Sequence, residues 1–316
     1  MNKKGYLQIS FGWLFAIIAG IFILALAIYI STKFIEIKQT QIDTETAKHI
    51  GVLLNPFEIG VETSSSTPMT TPSETRIHIS CDENGVFGNQ LISTSMKSLG
   101  KWTDESVEVS FKAKYVFSDE TVEGKKFFLF FRPFNSPFKV ADIIVLTSSE
   151  KDYCFVTDIN KIKIDVNNIQ QENLYVFPDC PANSVRICFN NVGSGNCDVD
   201  VFYDEVTETG YVEKDGANRV YYFGNLLYGA IFSDKDLYEC QVKRLMKRLE
   251  QVASLYGKKA VFVSQRGCTN NLAGDLNFLS VAAKSVTISE SLNQLILPKS
   301  KDIEEKNENN EYCKLW

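Results

Sequence analysis

The residues of this 316-residue chain with the most chemistry in them are its eight cysteines: Cys81, Cys154, Cys180, Cys188, Cys197, Cys240, Cys268 and Cys313. The count is even. None stands in a C-x-x-C pair, so zinc and thioredoxin-like readings are weak. Disulfides on an oxidising side of a membrane are the better reading, with buried free thiols as the plain alternative. Two pairings can be argued. The segment from Gly257 to Cys268 is long enough to return along a helix and meet Cys240, which makes Cys240–Cys268 the expected bridge. Cys313 is the rival partner for Cys268, because it would tie down a charged tail. Cys188–Cys197 is tempting across a turn, but strand parity argues against it: pairing Ile187 and Phe189 with Val199 and Val201 puts the two cysteines on opposite faces.

Other reactive groups are sparse. The chain has two histidines, His49 and His78. G-x-S-x-G, H-E-x-x-H and the Ser–Lys set are all absent. A carboxylate pair of the glycosidase kind has no local signature to read. Asp198, Asp200 and Asp204 form an acidic cluster that would suit calcium, but an exposed polar face explains it as well. The stretch 190–196, NNVGSGN, lacks the Lys of a phosphate-binding loop and is flanked by strand patterns, so it reads as a hairpin turn. Net charge of -6 argues against nucleic-acid binding. The expectation is a non-enzyme with no metal and no cofactor.

These residues must be positioned by elements, and one element dominates. Residues 11–30, FGWLFAIIAGIFILALAIYI, carry no charge. As a helix they would span about 30 Å, the thickness of a bilayer's hydrocarbon core. Lys3 and Lys4 precede the run, and Lys33, Glu36 and Lys38 follow it with mixed sign. The positive-inside rule therefore places residues 1–10 in the cytoplasm as a short leader and the rest of the chain outside. The apolar spacing continues through Phe34, Ile35, Ile42, Ile50 and Leu53 without Pro. This predicts a helical stalk over 31–54, ended by Asn55-Pro56.

Lys3-Lys4-Gly5-Tyr6, a short polar step at Gln8 and Ser10, and then the apolar helix resemble the class III signal of archaeal type IV pilins and archaellins. The likeness covers about the first 35 residues. It implies a prepilin-type peptidase that cuts between Gly5 and Tyr6, retention of the apolar helix on the mature chain, and self-assembly through that helix. Ser10 departs from the Glu that bacterial-type pilins carry at the fifth mature position. Two other fates remain open: an uncleaved signal anchor, and secretory cleavage after the Ala25-Leu26-Ala27 stretch.

Residues 55–75 are rich in Ser, Thr and Pro and read as a linker. From 76 to 232 the period becomes two, with the clearest alternation over 107–117. Residues 126–131 are almost all Phe and suit a strand covered on both faces. Regular strands and turn signals predict an antiparallel sheet or sandwich. From 233 to 316 the period is helical. Ser233 and Asp236 resemble a capping box, and Tyr238, Val242, Leu245, Leu249, Val252 and Tyr256 form one stripe. Lys243, Arg244, Lys247 and Arg248 flank it, a basic patch able to meet anionic lipid or to stay solvated. A second helix is expected around 272–283 and a third near Thr287, broken at Pro298. The fold class expected is α+β. The function expected is a pilin-like filament subunit, or a single-pass tethered surface protein that does not polymerise.

Overall fold

The structure is a computed structural model. It describes residues 11–53, 66–98, 100–192, 197–214, 216, 218–268, 270–310 and 313–316, with backbone alone at 11, 34–53 and 218. The chain is α+β: an N-terminal apolar helix, a mixed-sheet body and C-terminal helices. Helix α1, Phe11–Leu53, is one uninterrupted helix of 43 residues, about 65 Å long. Nothing in the sequence between its ends breaks it, since Pro is absent there.

The first sheet contains β1 (Thr67–Asp82), β2 (Asn89–Ser98), β3 (Lys101–Trp102), β4 (Val109–Phe111), β5 (Val116–Phe117), β6 (Thr121–Asn135) and β7 (Lys139–Ser148). Its order is β3-β2-β1-β6-β7-β5, with β4 also on β2. Beyond its uncovered first half, α1 runs alongside β2 and β4. Residues 67–75, expected in a linker, are strand. Their Pro68 and Pro72 are tolerated because this part of β1 pairs with β6 alone; β2 joins only from Thr75 onward. A bulge between Thr70 and Thr75 takes up the irregularity.

The second sheet has β8 (Tyr153–Val156), β9 (Leu174–Val176), β10 (Val185–Phe189), β11 (Val199–Asp204), β12 (Thr209–Lys214) and β13 (Asn218–Phe223), in the order β13-β12-β11-β10-β8-β9. β9, β8, β10 and β11 run parallel, and only β11, β12 and β13 form an antiparallel meander. The antiparallel expectation is thus corrected to mixed sheets. The cause is helix α2, Asn160–Ile169, which carries the chain back between β8 and β9.

β6 and β7 separate two cores. Phe127, Leu129 and Phe131 point with Ile144 and Leu146 into the interior of the first sheet. Phe130, Phe134, Val140 and Val145 point into the larger core shared with the second sheet and the helices. The Phe-rich strand is therefore covered on both faces, as its sequence requires.

Helix α3, Leu226–Phe232, is wholly buried and leads into α4, Lys235–Ser264. Tyr238, Val242, Leu245 and Leu249 of the expected stripe are buried. The expected capping box does not form: Asp234 stands at the N-cap, and its carboxylate accepts from Glu120 N instead. Helix α5 spans Leu272–Ser285. Pro298 does not break the last helix. A π-turn over Leu292–Ile296 precedes it, and α6 then runs Leu297–Glu308 with the proline in its first turn, where a missing N–H costs nothing.

Candidate functional site

The segment Gly12–Lys33 has a helix long and apolar enough to cross a membrane, and none of it is buried against the body. Trp13, Phe15, Ile21, Phe22, Ile23 and Tyr29 each expose more than 60% of their surface. An apolar surface of this extent is not stable in water and needs a covering partner. At its C-terminal end Thr32 Oγ1 donates to the Tyr29 carbonyl at 2.9 Å, satisfying the hydroxyl within the helix. Gly5 and Tyr6, the expected processing site, lie outside the described residues, as does the side chain of His49.

All eight cysteines pair: Cys81–Cys240, Cys154–Cys180, Cys188–Cys197 and Cys268–Cys313. The expected Cys240–Cys268 bridge is corrected. Cys240 sits in the first turns of α4, where the end of β1 arrives 159 residues away in sequence, and the rival pairing of Cys268 with Cys313 is the one made. Cys188–Cys197 forms despite the parity argument. That argument presumed an antiparallel hairpin, whereas β10 and β11 are parallel and Cys197 precedes β11. Cys154 and Cys188, with Val156, form a small buried cluster against which Cys180, Val192 and Cys197 pack. Two disulfides thus cover a sheet face that has no helix on it.

The first sheet curls until β5 returns to β2, and the seam is closed by side chains. Gln90 Oε1 accepts from Val116 N at 3.0 Å, and Gln241 Nε2 donates to the Val116 carbonyl at 3.0 Å and to Gln90 Oε1 at 2.6 Å. Arg244 extends the chain. Its Nη1 donates to Gln241 Oε1 at 2.7 Å and Lys114 O at 2.9 Å, its Nη2 to Lys112 O at 3.0 Å, and its Nε to Phe87 O at 3.2 Å. The residue is fully buried over the Tyr115 ring, 4.8 Å from its centroid, and burial pulls the guanidinium down to about 10. This explains why the alternation over 107–117 is not one strand: the carbonyls of residues 112 and 114 are taken by Arg244 rather than by a neighbouring strand.

Arg244 was expected in an exposed basic patch, and the rest of that patch is also engaged. Lys243 pairs with Glu83 at 3.0 Å, Lys247 donates to the Glu83 and Gly85 carbonyls, and Arg248 lies 5.4 Å from the Phe87 ring. These cations hold the 82–88 loop. Two of the three acids of the expected cluster, Asp198 and Asp204, are likewise engaged locally. Asp198 accepts from Arg186 N, and Asp204 accepts from Val206 N and Thr207 N, whose backbone N–H groups hold its carboxyl below the usual range. Among the described residues no group of three or more His, Cys, Asp or Glu is arranged to hold a metal.

An acidic concavity of about 450 Å³ lies between β1, β2 and the start of α4. His78, Ser80, Glu105, Glu108, Glu120, Asp236, Leu237 and the Cys81–Cys240 bridge line it, with no Lys or Arg. Ser93 Oγ donates to Glu105 at 3.2 Å and Ser80 Oγ to Glu108 at 3.3 Å. The His78 ring is held between Thr121 and Ser95, each at 3.2 Å. Sequence reasoning placed no site here, because the lining comes from five separate segments with no motif among them. No family model matches the chain, and neither a curated protein nor a solved structure matches it.

Proposed function

We propose that the chain is a pilin-like subunit of a cell-surface filament, held in the membrane by its apolar helix before assembly. The observation that supports this most is the uncovered Gly12–Lys33 segment, continuous with a helix that runs on to Leu53 and alongside β2 and β4. In a monomer the exposed apolar surface is covered by lipid; in a filament it is covered by the same helix of other copies. Four disulfides suit a body outside the cell. On this reading a prepilin-type peptidase cuts between Gly5 and Tyr6. N-terminal sequencing of the mature chain then begins at Tyr6, and electron micrographs show filaments that disappear when residues 11–30 are deleted. A chain that begins at Ile28 overturns the reading.

The second reading is a single-pass tether whose body binds a partner without polymerising. The acidic cleft favours it, since a concavity of this size on a monomeric body offers a place for a ligand. A mature chain beginning at Met1, with no filaments in the wild type, selects this second reading.

A further inference from the structure

We propose that the Cys81–Cys240 disulfide exchanges with external low-molecular-weight thiols, and that the cleft around it selects those thiols by charge, taking cationic ones over anionic ones. The inference holds whether or not the chain polymerises, because it concerns the body alone.

The four bridges differ in surroundings. Cys154 and Cys188 are 1% and 0% exposed, and their half-buried partners Cys180 and Cys197 pack on that cluster with Val192. Cys81 and Cys240 are half-buried and line an open cleft of about 450 Å³, ample for a thiol of a few heavy atoms when a water occupies about 30 Å³. The carboxylates of Glu105, Glu108, Glu120 and Asp236 line the same cleft. Hydroxyl donation from Ser93 and Ser80 fixes two of them as acceptors. On the helix, Lys243 is paired with Glu83, and the exposed Lys235 adjoins Asp236 but is not among the lining residues. An approaching thiolate therefore meets four carboxylates, against which His78, 3.8 Å from Glu105, is the one lining group able to carry positive charge, at a range where salt screening is incomplete, the Debye length being about 10 Å at 0.1 M. A thiol that also carries an ammonium cancels that repulsion. The fourth bridge, near cations and near Glu311 in sequence, supplies an internal control outside the carboxylate-lined cleft. Cys268–Cys313 is flanked in sequence by Arg266 and Lys314, and Lys259 donates to the Leu315 carbonyl beside it.

The exchange balances. A thiolate attacks one sulfur of the bridge, the S–S bond breaks, and the other cysteine leaves as a thiolate. A second thiol molecule resolves the mixed disulfide. Two thiols are oxidised to their disulfide, and Cys81 and Cys240 are reduced and take up two protons.

The test treats the whole chain in neutral detergent with cysteamine, mercaptoethanol or thioglycolate at equal thiolate concentration, followed by alkylation and peptide mapping. Each rate is divided by that of the same thiolate on a small uncharged disulfide, which removes differences in intrinsic nucleophilicity. The relative rate at Cys81–Cys240 is expected to fall about tenfold from the cationic to the anionic thiol at low salt. The ratio should collapse near 1 M salt, where the Debye length is about 3 Å. The spread at Cys268–Cys313 should be smaller. A variant carrying E105Q, E108Q, E120Q and D236N, with its melting temperature checked, should lose the spread at Cys81–Cys240 and keep it at Cys268–Cys313. Equal rates for the three thiols at Cys81–Cys240, or a bridge that stays closed to all of them while the others open, would overturn the proposal.

Discussion

Arg244 is buried against carbonyl oxygens rather than a carboxylate, so its charge is balanced by peptide dipoles and by the Tyr115 ring. Removing it orphans the carbonyls of Phe87, Lys112 and Lys114 at one stroke. Arg244→Met is expected to cost about 3 kcal/mol in denaturant unfolding of the whole chain. Arg244→Lys should recover little, since one ammonium cannot reach carbonyls that a planar fork spans. The buried tyrosines give a second test at this scale. Burial, with Glu208 and Glu205 adding to it, pushes Tyr203 up to about 12, and burial raises Tyr153, Tyr222, Tyr228 and Tyr238 as well. In each the folded pKa lies above the unfolded value near 10, so the fold favours the protonated ring. Stability is then undiminished below about pH 10 and declines as pH rises from there. Phenolate absorbance should show these rings ionising only as the chain unfolds. Smooth ionisation of all 13 tyrosines near pH 10 with the fold intact would contradict the burial.

Helices α5 and α6 are joined by a four-membered charge network: Lys299 and Lys306 each bond both Asp275 and Asp302, at 2.6 to 2.9 Å. The hydrogen bonds from the lysines hold Asp302 below the usual carboxylate range. Its contribution is therefore complete above that range and is lost as pH falls through the depressed value. The bonds to Asp275 and Asp302 push Lys306 up to about 12, so at the alkaline end the contribution fades only as pH passes lysine's ordinary value and approaches that figure. The protection of α6 amides, taken relative to the intrinsic exchange rate at each pH, should be greatest at neutral pH and fall in acid, and the acid effect should shrink in Lys306→Met and vanish when Lys299 is replaced by Met as well. The bridge that follows α6 closes a 45-residue separation and brings the chain end back, so that Trp316 packs on Phe138 and Tyr256. C268A/C313A should lose up to about 4 kcal/mol and shift the Trp316 emission toward that of a solvated indole.

Legibility in the sequence followed the same division. The stripe from Tyr238 to Leu249 and the doubly covered Phe strand were readable because one period, unopposed, specified each. Helix α2 was not readable: Ile162, Ile164 and Val166 alternate like a strand, while the buried set is Ile162, Val166 and Ile169, at helical spacing. The strand at 107–117 failed because a side chain more than 120 residues on captured its carbonyls. The Cys81–Cys240 pairing was unreadable for a similar reason, since local reach says nothing about where β1 ends, whereas Cys268–Cys313 was legible as the rival pairing. The acidic cleft is assembled from segments as distant as Ser80 and Asp236.

For the whole molecule, the described span is a single apolar helix followed by a disulfide-bonded body. With the body outside, protease added to intact cells should remove residues beyond the anchor, and complete protection would refute that topology. The closed seam of the first sheet has a further consequence, which concerns how copies could join. An open sheet edge invites another chain to add a strand. Here β5 has its outward amide and carbonyl occupied by Gln90 and Gln241, and at the end of the second sheet β13 has those of Tyr221 occupied by Ser289 and Tyr238. The other sheet ends, β3, β4 and β9, run two or three residues. The first half of β1 pairs with β6 alone and leaves an edge open, but Pro68, Pro72 and the bulge before Thr75 make it a poor template for strand donation between bodies. On the filament reading proposed above, joining of copies falls to the bare surface of Gly12–Lys33 and to side chains of the body.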